Sequence, residues 1–290
     1  MDRAAVFATH RPRLYGIAYR MLGSRAEAED MLQEAYLRWH QADAERVHTP
    51  EAWLVTTVSR LCIDRLRAVR AERDAYIGPW LPEPLVEEPF APPDAHAELA
   101  SDLSVAFLVV LERLAPEERA ALLLHDVFDC DYADISRILG KSEPACRQIV
   151  HRARERARAD RPRFRVSEAA HAQLLERFVA ALKAQDKDTL LGLFAPDATW
   201  TSDGGGKQKA ARKVLEGADR VARFALAIWD RYYSAALADR ALVNGQRGLI
   251  MSIAGRVVST ISIDTDGSRI RAVHTVLNPD KLKGIERPSA

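Results

Sequence analysis

The sequence predicts a multidomain chain: two all-α domains, the second a helix-turn-helix, followed by an α+β domain. Three observations carry this. Apolar residues recur at helical spacing through 5–73 and again through 101–160. Six prolines separate these stretches: Pro79, Pro82, Pro84, Pro89, Pro92 and Pro93. Beyond residue 168, helical patterns give way to strand-type alternation punctuated by Asn244-Gly245 and Asp266-Gly267, which are hairpin signals. The expected boundaries are 1–73, a linker over 74–100, 101–160, a short second linker over 161–166, and 168–290.

With 290 residues, 48% of them hydrophobic, the chain can build two or three ordinary cores. It has no run of 18 apolar residues, and its start, MDRAAVFATHRPR, lacks an apolar signal region. A cytoplasmic protein without membrane contact is therefore expected. Cys62, Cys130 and Cys146 have no metal-ligand spacing and read as buried reduced thiols, so neither a metal nor a cofactor is expected. The net charge of +1 hides segregation. Residues 74–100 carry six acids and no Lys or Arg, whereas Arg147 to Arg165 span eight arginines. Local fields, not net charge, set attraction to phosphates.

In the first domain, residues 26–40 (AEAEDMLQEAYLRWH) put Met31, Leu32, Ala35 and Trp39 on a buried stripe. Asp30, Gln33, Glu34 and Leu37 fall on another face, and periodicity leaves open whether that face is solvated or docks a partner. Residues 50–73 bury Trp53, Leu54, Val58, Leu61, Cys62 and Leu66, with Arg60, Arg67, Arg70 and Arg73 along a basic edge.

In the linker, prolines exclude a helix and favour extended chain. Trp80 and Leu81 are left exposed unless something covers them. The acidic linker could pair with Lys207, Lys209, Arg212 and Lys213.

The second domain ends in DYADISRILGKSEPACRQIVHRARERAR. Ala133, Ile135, Ile138 and Leu139 form the stripe of one helix, Gly140-Lys141 the turn, and Ser142 the N-cap of the next helix. That second helix buries Cys146, Val150 and Ala153. It exposes Arg147, Gln148, His151 and Arg152, side chains able to reach base edges in a major groove. Arg156 and Arg158 fit phosphate contacts. A solvated helix of a bundle is the competing reading.

The third domain opens with a helix carrying Leu174, Phe178 and Leu182 on one face. A short helix follows, ending near Phe194, and a third covers 218–233. Strands are expected over 234–243, 248–254, 257–263 and 269–277. Val257, Ile261 and Ile263 face one side, with Thr260 and Ser262 on the other. The result is an antiparallel meander with helices on one face. Gly204 to Gly206 permit positive φ and close backbone approach, as in a tight turn. A phosphate loop would be longer and would need Ser or Thr after Lys207, where Gln208 stands.

Three segments carry a resemblance. EDMLQEAYLR is similar to the polymerase-binding segment of bacterial sigma factors. AWLVTTVSRLCIDRLR is similar to their promoter-melting and minus-10-reading segment. LAPEERAALLLHDVFDCDYADISRILGKSEPACRQIVHRARER is similar to their minus-35-reading domain. They stand in family order over residues 5–160, with no extra domain between, as in the compact extracytoplasmic-function sigma factors. The resemblance implies core RNA polymerase and promoter DNA as partners. It places Asp30, Gln33, Glu34 and Leu37 on the polymerase and Arg60, Arg67 and Arg70 near the minus-10 strand. Arg147, Gln148, His151 and Arg152 would meet the minus-35 duplex. Arg60 departs from the asparagine many relatives carry, and Gln148 and Ile149 depart from a common polar pair.

Residues 168–290 resemble the SnoaL-like, ketosteroid-isomerase-like cone fold, most clearly in FAPDATWTSDGGGK. Sigma factors so extended form a subgroup, group 41, marked by WLPEP, DGGGK and NPDKL motifs. All three occur here. The resemblance implies regulatory contacts by Trp80, Leu81 and Pro82, by Asp203, Gly204, Gly205, Gly206 and Lys207, and by Asn278, Pro279, Asp280, Lys281 and Leu282. An intramolecular latch between linker and extension follows. Cone folds commonly enclose a pocket, for which Asp203, His274, Trp200 and Trp229 are candidates. A lone strand histidine is more often a core or rim residue, and no catalytic residue is assigned. The alternative to a self-regulated sigma factor is a helix-turn-helix regulator fused to a small-ligand-binding or enzymatic domain. EDMLQEAYLR favours the sigma factor, since a repressor has no need of it.

Overall fold

A computed structural model describes residues 2–43, 47–69, 72–73, 75–87, 104–160 and 166–285. These divide into two compact units. One holds the N-terminal helices together with the helix-turn-helix. The other holds 75–87, 104–106 and the C-terminal domain. The first part of the expected linker is thus built into the C-terminal unit. Arg70 and residues 88–103 lie outside the described residues.

The first unit contains α1 (Arg3–Leu22), α2 (Arg25–Gln41) and α3 (Pro50–Ala68). They are followed by α4 (Val105–Leu111, of which 107–111 belong to this unit), α5 (Pro116–Asp126), α6 (Tyr132–Leu139) and α7 (Glu143–Asp160). Side chains that compete for backbone N–H groups start several of these helices. Asp2 Oδ1 accepts from Ala4 N, Ser24 Oγ from Glu27 N, and Asp131 Oδ1 from Asp134 N. Gly23 and Gly140, with φ of 66° and 65°, end α1 and α6 in the left-handed conformation a side chain resists. Leu32, Ala35, Trp39, Leu54, Val58, Cys62 and Leu66 are buried, as the stripes predict, whereas Met31, Trp53 and Leu61 are only half-buried; Leu14 and Ile17 of α1 join this core. All three cysteines are free and buried, and burial pushes the Cys62 thiol upward.

The second unit contains β1 (Val86–Glu87), α8 (Glu168–Lys183), α9 (Lys187–Leu193), β2 (Phe194–Asp203) and β3 (Leu215–Glu216). Then come α10 (Ala218–Ile228), a π-helical turn (Trp229–Tyr233), β4 (Leu237–Val243), β5 (Gln246–Ile253), β6 (Arg256–Thr265) and β7 (Ile270–Val276). One sheet runs β1-β4-β5-β6-β7-β2-β3. The expected meander β4 to β7 is antiparallel, but β2 joins it parallel to β7, so the sheet is mixed. No strand was expected over β2. Pro196 interrupts its pattern, and the pairing skips a register between Phe194 and Thr199.

Phe178, Phe194, Trp200, Trp229, Tyr233, Ile261 and Ile263 fill the core of this unit. One face assignment is corrected. The β5–β6 register shifts at Met251/Ser252, and that bulge sends Val258 rather than Val257 against the core.

Candidate promoter-reading face and linker anchor

On α2, burial of Ala28, Leu32, Ala35 and Trp39 leaves Asp30, Gln33 and Leu37 exposed and Glu34 half-buried. Leu37 is 50% exposed. Glu34 accepts from Arg38 Nε at 2.7 Å, one turn on. The face therefore presents an acid, an amide and an apolar side chain together.

On α3, Arg60 and Arg67 project from the edge opposite Leu54, Val58 and Cys62, and both are already engaged. Arg60 donates through Nε to Ile138 O at 3.0 Å and through Nη2 to Arg137 O at 2.6 Å. Those carbonyls end α6, where a cation meets the negative end of the helix dipole. Arg67 donates to Glu117 Oε1 at 2.6 Å and to Asp64 at 3.1 Å, and Lys141 lies 3.2 Å from Glu117. A cleft of about 520 Å3 lies here, lined by Arg67, Pro116, Glu117, Lys141, Ile149 and Arg152. Elsewhere α1 and α5 are tied by Arg119, which donates to Met21 O and Glu112, each at 2.6 Å, and by Arg13, which donates to Phe128 O at 2.6 Å.

On α7, Cys146, Ile149, Val150 and Ala153 are buried. Arg147, Gln148, His151 and Arg152 are exposed together on the opposite face. Arg147 donates to Glu143 at 2.9 Å and stacks 5.0 Å from the Tyr132 ring centre, while His151 lies 3.5 Å from Glu155. Arg154 grips Asp126 and Arg156 meets Glu118 at 2.6 Å, so both tie α7 to α5. Arg156, which by sequence fits a phosphate contact, is thus also a structural tie.

In the second unit, Asp203 closes β2 and is wholly buried. Its main-chain oxygen accepts from Leu277 N and Asn278 N at 2.7 and 2.9 Å. Its carboxylate accepts from Tyr76 Oη at 2.6 Å, Leu81 N at 2.9 Å, Gly205 N at 3.0 Å and Lys281 Nζ at 2.7 Å. Lys281 also donates to Leu81 O at 2.5 Å and lies 4.0 Å from the Trp80 ring centre and 5.1 Å from that of Tyr76. Asn278 Nδ2 donates to Tyr76 Oη at 2.9 Å. Burial, then the hydrogen bond to Asp203, raises the pKa of the Tyr76 phenol.

The glycines are explained by proximity. A Cβ on Gly205 would stand 2.2 Å from Asn278 Nδ2, and one on Gly206 would stand 2.9 Å from Ile77 Cδ1. Both positions also have positive φ, 58° and 70°. Leu81 is fully buried, and Pro82 and Leu282 are buried too, while Pro279 and Asp280 are exposed. Farther along, Asn244 Oδ1 accepts from Leu85 N at 3.2 Å and Asn244 N donates to Leu85 O at 2.7 Å, leading into the β1–β4 pairing.

Three expectations change. Lys207 pairs with Asp280, and among the described residues Lys281 is a cation that reaches the linker. Tyr76 and Asn244 belong to this set and were missed, Asn244 because Asn-Gly was read only as a hairpin turn. Asp203, His274, Trp200 and Trp229 do not form one pocket. Trp200 lies across from Val273 with both side chains in the core, so strand alternation turns Asp203 and His274 to the other face of the sheet. There His274 is buried with neither ring nitrogen bonded, and burial lowers its pKa to about 4.

Sequence comparison finds Sigma-70 region 2 over residues 6–72, Sigma-70 region 4 over 104–156 and a SnoaL-like domain over 175–277. The extracytoplasmic-function (ECF) RNA polymerase sigma factor SigJ of Mycobacterium tuberculosis (strain ATCC 25618 / H37Rv) is 38% identical, aligned over 96% of this chain and 92% of its own. The chain belongs to the ECF RNA polymerase sigma factors. A probable ECF sigma factor of the same organism, SigI, is 30% identical over 96% of this chain and 94% of its own. The crystal structure of M. tuberculosis SigJ superposes with a TM-score of 0.79 at 37% identity, covering 97% of this chain and 98% of that one. This sigma factor therefore carries a SnoaL-like extension, and its named relatives are ECF RNA polymerase sigma factors. Among the described residues, no helix is long and apolar enough to cross a membrane.

Proposed function

We propose that this sigma factor docks on core RNA polymerase through Asp30, Gln33, Glu34 and Leu37. It then reads the minus-10 strand with Arg60, Arg67 and Arg70 and the minus-35 duplex with Arg147, Gln148, His151 and Arg152. Its C-terminal domain regulates it by holding the linker, without retained catalysis, in the cytoplasm. The observation that carries the regulatory part is the Asp203 carboxylate, which gathers Tyr76, Leu81 N and Lys281 into one buried network.

The engagement of both arginines supports a closed resting state. Arg60 spends its donors on the α6 carbonyls and Arg67 on Glu117. For those same donors to meet a promoter strand these bonds would have to break, which would let α3 and the helix-turn-helix separate on promoter binding. A signal shifts that equilibrium only by binding one state better than the other.

The test is run-off transcription with purified core polymerase. Reversing Asp30 and Glu34 to Lys should abolish co-elution with core while leaving the melting temperature unchanged. Retained co-elution rejects the docking face. For the regulatory part, Trp80→Ala and Asp203→Ala should each change transcription, non-additively. Strict additivity would leave the extension an independent module.

A further inference from the structure

We infer that Tyr132 and Glu143 are positioning residues for promoter reading. Between them they hold the Arg147 guanidinium, by its face and by its edge, in the pose that meets a base. The inference rests on the reading of α7 given above, with Arg147 on the minus-35 duplex.

The exposed residues of that face are not held alike. Gln148 and Arg152 make no side-chain hydrogen bond or ion pair among the described residues. His151 has Glu155 one turn on at 3.5 Å, with both side chains largely exposed. Of the four, Arg147 alone is held on two sides. Its Nη2 donates to Glu143 at 2.9 Å, and its guanidinium carbon lies 5.0 Å from the Tyr132 ring centre. A guanidinium stacks on an aromatic face with its plane covered and the N–H groups round its rim still free. Glu143 takes one of those groups. The rest of the rim can supply paired N–H bonds to O6 and N7 of a guanine.

The ring is itself fixed. Tyr132 is the first residue of α6, whose N-cap Asp131 accepts from Asp134 N at 2.7 Å. Its ring packs against that of His125, in the last turn of α5, at 4.4 Å between centres and 73° between planes. The next residue, Asp126, accepts from Arg154 Nε of α7 at 2.7 Å. Helices α5, α6 and α7 thus build one short stack, His125, Tyr132 and Arg147, closed behind by Asp126 and Arg154. Arg147 is near the start of α7, the part of a recognition helix that meets base edges. A free arginine loses much rotamer freedom when it binds, and one already ordered loses less. Holding the guanidinium in place therefore sharpens its choice of base.

Tyr132 is half-buried and stands one turn before Ile135 of the buried stripe, so the experiment separates packing from positioning. Holoenzyme reconstituted from core polymerase and the full-length chain selects binders from a DNA library randomised upstream of a transcribed region. Sequencing then gives the base preference at each position. Arg147→Ala identifies the position that Arg147 reads. Tyr132→Leu should relax the preference at that same position by about two- to fivefold, the equivalent of an exposed cation–π contact. Glu143→Gln should relax it in the same direction. Neither should add anything there in an Arg147→Ala background, and Tyr132→Phe, which keeps the ring, should keep the native preference. Melting temperatures report packing, and Glu143→Gln, which leaves the apolar stripe intact, decides the question if Tyr132→Leu does not fold. An unchanged or sharper preference at that position in a folded Tyr132→Leu or in Glu143→Gln overturns the inference. So does a Tyr132→Phe variant that behaves like Tyr132→Leu, which would assign the phenol oxygen to a phosphate. Relaxation at every position overturns it too and makes Tyr132 a packing residue. If Arg147→Ala relaxes no position, the reading of α7 falls and the inference with it.

Discussion

Lys281 and Asp203 form an ion pair of 2.7 Å in a place almost closed to water, with side-chain exposures of 12% and 0%. An isolated charge at such depth is costly, which is why the carboxylate is met by three further donors. Asp203→Ala should therefore do more than delete a bond. It leaves the ammonium without its counter-charge, at a cost of about 3–5 kcal/mol. The local reading is hydrogen exchange in the full chain, where the Leu81 amide should lose protection. Native protection of Leu81 in that variant would show that the carboxylate does not hold the linker.

Trp80 contributes a ring face rather than a hydrogen bond. With the Lys281 ammonium 4.0 Å from the ring centre, the attraction is worth about 0.5–2 kcal/mol. A cycle of Trp80→Ala and Lys281→Met, followed by urea unfolding, should show coupling of about that size. Additive effects would mean that Trp80 acts only by covering apolar surface.

Glu117 is the counter-charge for both Arg67 and Lys141. Glu117→Gln should release both cations and weaken the hold between α3 and the helix-turn-helix. Non-specific DNA affinity at low salt should rise by several-fold, since freed cations add counterion-release contacts. Stability should fall by no more than about 1 kcal/mol, the usual worth of an exposed pair plus an acid in the first turn of a helix. Fluorescence anisotropy with a random duplex reads the first effect. Unchanged anisotropy would mean that Arg67 and Lys141 are not restrained by this acid.

Helical periodicity was enough to find α2, α3, α6 and α7 and to place Arg147, Gln148, His151 and Arg152 on one exposed face. Each of those helices buries a single stripe. Strand β2 was not legible. It lies between β7 and β3, is buried over most of its length, and contains Pro196, so period-two alternation never shows. The partners of Asp203 were half legible. Trp80 and Leu81 stood out as apolar residues among prolines, but Tyr76 joins them only through hydrogen bonds to Asp203 and Asn278, 127 and 202 positions away. Engagement of Arg60 by two α6 carbonyls is a contact across 77 and 78 positions, which no local pattern encodes.

His274 makes stability depend on pH. Its ring is buried between Thr201 and Ser262 in strand register, with both nitrogens unbonded, and its pKa falls from 6.5 to about 4. Between those values the unfolded chain binds a proton that the folded chain refuses. Stability therefore rises with pH across this window, is complete above about 6.5, and is progressively lost as pH falls towards 4. The full difference is about 3 kcal/mol at roughly 1.36 kcal/mol per unit. His171, also buried and shifted downward, contributes with the same sign. Urea unfolding at pH 4.5 and pH 7 should show the native chain losing more stability on acidification than His274→Leu does. The carboxylates titrate alike in both proteins and cancel in the comparison. His171→Gln should retain the part that belongs to His274. Equal losses in native protein and His274→Leu would mean that the imidazole titrates normally, through water that satisfies its nitrogens.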